Sequence, residues 1–169
     1  MAIGHRLTQG LRALRSSLLR ASDASTPSIL SPPQAAAFAG LPRFDRTHLI
    51  AAYTCLVRDG ETDRDLLLAA LLHDLGKCRH GHCVRLIHRV VRVVLRRISP
   101  SSLEYIARMP VAGWRTGFAL AVHHPVLGAK QAASLGCSAR TCWLIAHHED
   151  DPAPDDDQLR RLIAADRRA

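Results

Sequence analysis

The stretch Leu71-Leu72-His73-Asp74-Leu75-Gly76-Lys77 sets a histidine and an aspartate side by side at the end of an almost wholly aliphatic run. A carboxylate buried among leucines is costly unless a cation or several hydrogen bonds meet it. A metal ion answers that need, because imidazole nitrogen and carboxylate oxygen are borderline and hard donors. For a lone His-Asp pair, a plain helix end whose Asp74 caps a neighbour explains the residues as well. The pair is not alone. His48 follows Phe44 by one helical turn and shares a face with Ala52 and Cys55, so it points inward. Asp166 is in phase with Leu159, Leu162 and Ile163, a poor core position for a carboxylate without a partner. His148 shares a face with Leu144 and Ile145, and His124 stands directly before Pro125. Singly, each histidine reads best as a hydrogen-bonded core residue. Together, His48, His73, Asp74, His124, His148 and Asp166 offer enough donors for two cations.

These residues must be positioned by helices. Leu, Ile, Val and Ala dominate an apolar share of 47%, while aromatics make up only 4%, which favours an all-α bundle over a β-sandwich. A helix is expected from about Asp45. After the Asp59-Gly60 turn, a second is expected from a Thr62 or Asp63 cap to Asp74, with Gly76 ending it. Cys78 to Cys83 reads as a basic Cys/His loop. Val84 to Ile98 is helical, with apolar positions 84, 87, 91, 94 and 98 on one face and Arg85, Arg89, Arg92 and Arg96 on another. Ser99-Pro100 stops it. Further helices are expected at about 101–108, 114–123, 126–135, 138–149 and 156–167, with a break at Pro125. No strand alternation of useful length is present.

At 169 residues the chain suits one domain with a real core. Residues 1–32 read as a basic N-terminal amphipathic helix and a Ser/Thr/Pro-rich linker, and residues 33–169 as the working domain, with a basic helical insertion at about 78–113. Leu7, Leu11, Leu14 and Leu18 give the N-terminal helix its apolar side, with arginines between them. Such a segment can also be a transit peptide or a membrane-surface helix. The net charge of +8 suits a phosphate-bearing ligand, a nucleic acid or an anionic membrane, or simply a soluble basic surface. Five cysteines, an odd number, read as reduced thiols in a cytoplasmic protein.

In order along the chain, His48, His73-Asp74 and Asp166 resemble the H…HD…D pattern of the HD superfamily. Leu71 to Lys77 looks like that superfamily's LLHDIGK-type signature. His124-Pro125-Val126-Leu127-Gly128-Ala129 resembles an HPxxGA element, His147-His148-Glu149 an HHE element, and Ala165-Asp166 the closing AD, of its binuclear branch. The likeness spans roughly residues 44–167. It implies a compact helical HD domain and a metal-dependent phosphohydrolase. His48, His73, Asp74 and Asp166 would hold one divalent ion. Asp74 would be shared with a second, completed by His124 and by His148 or His147. Manganese or iron would suit, as would magnesium, nickel or zinc. Lys77 would hold a phosphate oxygen, or else be a solvated helix-end cation. Arg43 and Arg46 are weaker candidates, and Glu149 and Asp150 would orient ligands.

The insertion and the lack of a GYP tripeptide after His148 set the chain apart from HD-GYP cyclic-dinucleotide phosphodiesterases. The substrate expected is a phosphorylated small molecule, a nucleotide by preference, with nucleic acid not expected. A peripheral membrane contact through the basic helices is the second partner expectation. Other outcomes for the same fold are a nucleotide- or metal-sensing module without turnover, and a di-iron oxygenase. Cys78, His80, His82 and Cys83 could hold zinc, but their cramped spacing favours a basic lid. The arginine stripe either meets a phosphate-rich partner or faces solvent, and Trp114 and Trp143 read as packing residues.

Overall fold

The computed structural model describes residues 27–110, 112–150 and 155–169. The expected N-terminal helix, residues 1–21, lies outside them, as do residues 151–154 of the acidic loop. The described chain is mostly helical, in keeping with the all-α expectation.

Helix α1 is Pro32–Ala39, with prolines at its start and the Ser31 amide donating to Gln34 Oε1 at 3.0 Å. α2 is Arg43–Arg58 and α3 is Arg64–Leu72. The Asp63 carboxylate caps α3 by accepting from the Leu66 amide at 2.9 Å. Every residue from Leu66 to Leu72 is buried, so α3 is the central rod of the bundle, packed by α2, α7 (Ala139–His147) and α8 (Asp157–Arg168). At about 1.5–3 kcal/mol per fully buried leucine, this rod contributes much of the core. Ser138 and Asp156 cap α7 and α8, accepting from the Thr141 and Leu159 amides.

The aliphatic helix stops at Leu72, earlier than its pattern suggests. A 3-10 turn, Leu75–Lys77, follows and lies flat on α6 (Thr116–Ser134). Gly76 permits this: a Cβ there would sit 2.2 Å from the His124 carbonyl oxygen and 2.6 Å from the Gly128 nitrogen. Gly76 is thus a contact point between two backbones.

Three expectations are corrected. The first concerns Cys78 to Cys83, which is a small hairpin of β1 (Cys78–Arg79) and β2 (His82–Cys83). His80 and Gly81 both have positive φ, 49° and 77°, as a two-residue primed turn requires. This register sets Cys78 opposite Cys83, and the two form a disulfide, while Cys55, Cys137 and Cys142 are free. Sulfurs bonded to each other do not ligate zinc. The reading of five reduced thiols, on which a cytoplasmic placement leaned, does not hold for this pair.

The second is the break at Pro125. One helix, α6, runs through it. Pro125 cannot donate to the carbonyl four residues back, that of Ala121. His124 Nδ1 takes that oxygen instead, at 3.1 Å, so the gap in the ladder is filled from the side.

The third is the arginine stripe, expected to meet a phosphate-rich partner or to face solvent. α4 (Leu86–Ile98) and α5 (Pro100–Ala107) pack against α6. None of α4 is fully buried, and its aliphatic side faces outward while Arg89 and Arg92 turn toward the body. Amphipathic pattern alone would have buried the opposite face. Among the described residues, no helix is long and apolar enough to cross a membrane.

Candidate metal centre

Three helix ends and two helix interiors converge at the end of α3. His48 comes from α2, His73 and Asp74 from the end of α3, His124 from the middle of α6, His148 from the end of α7, and Asp166 from α8. Asp166 Oδ1 lies 2.7 Å from His48 Nε2 and 3.2 Å from His73 Nε2. Asp74 Oδ1 lies 3.7 Å from His73 Nε2 and 3.6 Å from His124 Nε2. The rings of His73 and His148 are 4.7 Å apart, and those of His124 and His148 are 5.2 Å apart. Two groups of possible ligand atoms result, His48/His73/Asp74 and Asp74/His124/His148, with the atoms of each within 4.8 Å of one another. Asp74 belongs to both.

The donor set fits divalent ions. His73, Asp74 and His124 are buried, yet His73 Nε2, Asp74 Oδ1 and His124 Nε2 have no hydrogen-bond partner. Buried polar atoms without partners cost about 1–3 kcal/mol each, and here all three face the same small space. The ring orientations have local causes. Nδ1 of His73, His124 and His148 donates to the carbonyls of Ala70, Ala121 and Ile145, at 3.1, 3.1 and 2.7 Å. Each carbonyl lies three residues back, at a helix end or beside Pro125. A carbonyl only accepts, so Nδ1 carries the proton and Nε2 keeps its lone pair for a cation.

Charge is distributed to match. Burial pushes the Asp74 carboxyl up, but Lys77, His73 and His124 outweigh it and hold Asp74 well below the usual carboxylate range. Burial likewise raises Asp166, but the neighbouring His48 and His73 outweigh it and hold Asp166 well below the usual carboxylate range. Burial, reinforced by Lys77, pushes His124 down from 6.5 to about 3. Burial and His73 lower His148 as well. For His73, burial acts downward and the charges of Asp74 and Asp166 win, raising it. Neutral His124 and His148 beside ionised Asp74 are in the protonation states that ligation requires.

Of the residues expected from the sequence, the structure brings together His48, His73, Asp74, His124, His148 and Asp166. It does not bring His147. That ring stacks on Trp143 at 4.4 Å, and its Nδ1 donates to the Trp143 carbonyl. Lys77 Nζ lies 2.6 Å from Asp74 Oδ2, which leaves Oδ1 to face the histidines. Arg46 Nε is buried without a partner.

The family comparison agrees with this geometry. The HD domain model matches residues 45–169, nearly three quarters of the chain. The chain belongs to the HD domain family. HD domains typically bind divalent metals and are largely phosphohydrolases. No curated protein and no solved structure matched.

Around this HD cluster lies a ring of charge that the sequence did not announce. Arg92 pairs with Glu149 through both carboxylate oxygens, and Glu149 Oε1 is 3.7 Å from His124 Nε2. Burial raises the Glu149 carboxyl, but His124 and Arg92 outweigh it and bring it to about 2. Arg89 reaches buried Asp45 at 2.5 Å and lies over the Phe44 ring. The stripe at 85, 89, 92 and 96 therefore divides. Two arginines tie α4 to α2 and to the end of α7, and Arg85 and Arg96 remain exposed. The only sequence signal for the inner pair was acid at Asp45 and at Glu149, the latter expected to orient ligands.

Proposed function

We propose that this HD domain hydrolyses a phosphomonoester or phosphodiester, preferably of a nucleotide, at a centre of two divalent ions. One observation carries the reading: Asp74 is shared by two His/Asp groups, and His73 Nε2, Asp74 Oδ1 and His124 Nε2 are buried there without a hydrogen-bond partner. His48, His73, Asp74 and Asp166 would hold one ion, and Asp74, His124 and His148 the other. When bound, two such ions supply Lewis acidity to phosphoryl oxygens and lower the pKa of water toward neutrality.

The chain's own residues do the rest. The Nδ1–H bonds to backbone fix three rings, so little reorganisation accompanies the reaction. Lys77, joined to Asp74 and 15% exposed at its side chain, holds the carboxylate in place and sets a positive charge at the rim, where a phosphate would arrive. Arg92 steadies Glu149 beside His124. Leu71, Leu72 and Leu75, which flank His73-Asp74 along the chain, are buried, so bulk water does not reach the pair through them. The basic surface, +8 over the chain, favours an anionic substrate.

The test is direct. Purified protein is assayed for metal content, then offered a generic phosphodiester, nucleoside monophosphates, cyclic nucleotides and dinucleoside polyphosphates with Mn²⁺ or Fe²⁺. Metal-dependent release of phosphate or a nucleoside monophosphate is expected, and it should be lost in Asp74→Ala. A protein that binds no ion and turns over nothing with added Mn²⁺ defeats the reading. Oxygen consumption by iron-loaded protein, without hydrolysis, would move it to an oxygenase.

A further inference from the structure

We infer that the outer face of α4 is a docking surface for an anionic membrane, so that this domain works at a lipid interface. Helix α4 packs its polar side inward, through Arg89 to Asp45 and Arg92 to Glu149. Its aliphatic side is left in solvent: Leu86, Ile87, Val90, Val93, Val94 and Ile98 are all exposed, from 43% to 72%. Within thirteen residues this is a continuous apolar strip on one helical face. Single exposed aliphatics need no explanation, but six on one face do.

The occupant is indicated by charge. From Leu75 to Leu103 there is no Asp or Glu, and Arg85, Arg96 and Arg97 stand exposed along or within the strip. A second copy of the chain meeting this face symmetrically would bring those arginines against one another. The N-terminal segment is no better matched, since residues 1–22 are also basic and free of acid. A partner that accepts aliphatic side chains and supplies negative charge satisfies both features. Anionic lipid does so, with the helix lying in the plane of the headgroups.

The aromatic surroundings fit. An open cavity of about 410 Å³ lies at the start of α4, and Ile87, His88, Trp114 and Phe118 help to line it. Trp114 is 68% exposed, although a tryptophan in a helical domain usually packs. An indole beside an aliphatic strip is a common anchor at the membrane–water boundary.

The experiment uses the full chain and vesicles of phosphatidylcholine, with or without phosphatidylglycerol. Cosedimentation with the anionic vesicles is expected, weakened by salt, with little binding to the neutral ones. Val90→Ser/Val94→Ser/Ile98→Ser should retain its circular dichroism and lose affinity by more than about tenfold, because binding scales with buried apolar area. Arg96→Glu/Arg97→Glu should bind anionic vesicles weakly as well. Trp114 emission, isolated in a Trp143→Phe background, should shift to the blue on binding. Wild-type affinity in the triple serine variant would assign any binding to another segment and overturn the inference. Self-association that depends on the same three residues, without vesicle binding, would also overturn it, in favour of an interface between copies. Neither readout depends on catalysis, so failure here leaves the hydrolase reading standing, and the reverse.

Discussion

Replacing Gly76 with alanine should pry apart the two backbones that set Asp74 against His124. The added Cβ would stand 2.2 Å from the His124 carbonyl oxygen, 2.6 Å from the Gly128 nitrogen and 2.9 Å from the His124 carbonyl carbon. All three atoms are backbone of one helix, so no side chain can swing aside. Real Cβ atoms essentially never approach within 3.0 Å, so the Leu75–Lys77 turn and α6 must separate by roughly 1 Å at that seam. Overpacking of this kind costs about 1–3 kcal/mol. For a domain of this size that lowers Tm by roughly 3–9 °C. The functional cost should be larger, because a displacement of about 1 Å between reacting groups can lower a rate around hundredfold. Scanning fluorimetry and metal analysis of Gly76→Ala, with Gly40→Ala as control, test this. At Gly40 a Cβ meets nothing nearer than 3.4 Å, so the control should behave as wild type. A Gly76→Ala protein that melts within about a degree of the parent and keeps its full metal content would refute the reasoning.

Further expectations concern the individual ligands. His148→Ala should lose metal and activity, whereas His147→Ala should leave metal content unchanged and cost only its stacking on Trp143; equal losses would mean that the two histidines are wrongly assigned. Asp74→Asn should lower metal content more than Asp166→Asn, because Asp74 belongs to both groups; elemental analysis of the two purified variants decides this. In chelator, metal-free protein should lose stability on acidification below pH 6.5. His124 is depressed from 6.5 to about 3, so its neutral form favours the fold fully above 6.5, and that contribution fades as pH falls toward 3. By pH 4 the loss on this residue's account is on the order of 3 kcal/mol. Urea melts across that range should show it, and His124→Asn should flatten the dependence. Arg92→Ala should leave Glu149 without its bidentate partner and weaken the hold of α4, seen as faster amide exchange in residues 86–98 with global Tm changed far less.

The candidate cluster was legible because burial and charge conflict openly at those positions. Asp166 sits in phase with aliphatic residues and His48 with Phe44, Ala52 and Cys55, and His73-Asp74 follows the run Leu66–Leu72, which holds no polar residue. Helix α3 was legible for the same reason, since Asp63 and the run Leu66–Leu72 mark a cap and a core rod. Pro125 misled because its rule concerns backbone alone, and here a side chain takes the carbonyl that the ring leaves open. The hairpin was missed because strands of two residues carry no periodicity, and its disulfide depends on a cross-strand register set by His80-Gly81. His147 and His148 are adjacent in sequence and differ only in where α7 terminates, which the composition does not fix. The orientation of α4 ran against its own pattern, because the ion pairs of Arg89 and Arg92 depend on acids 44 and 57 positions away.

The short tethers on the three imidazoles have a consequence for how the pocket fills. Each ring is steered by the peptide chain it grows from, three residues back, and none depends on a neighbouring segment or on the ion for its direction. Demetallation should therefore leave an aligned, empty socket rather than a collapsed one. An incoming cation would find its coordination sphere largely assembled, and exchange of one metal for another should need no unfolding of the polypeptide.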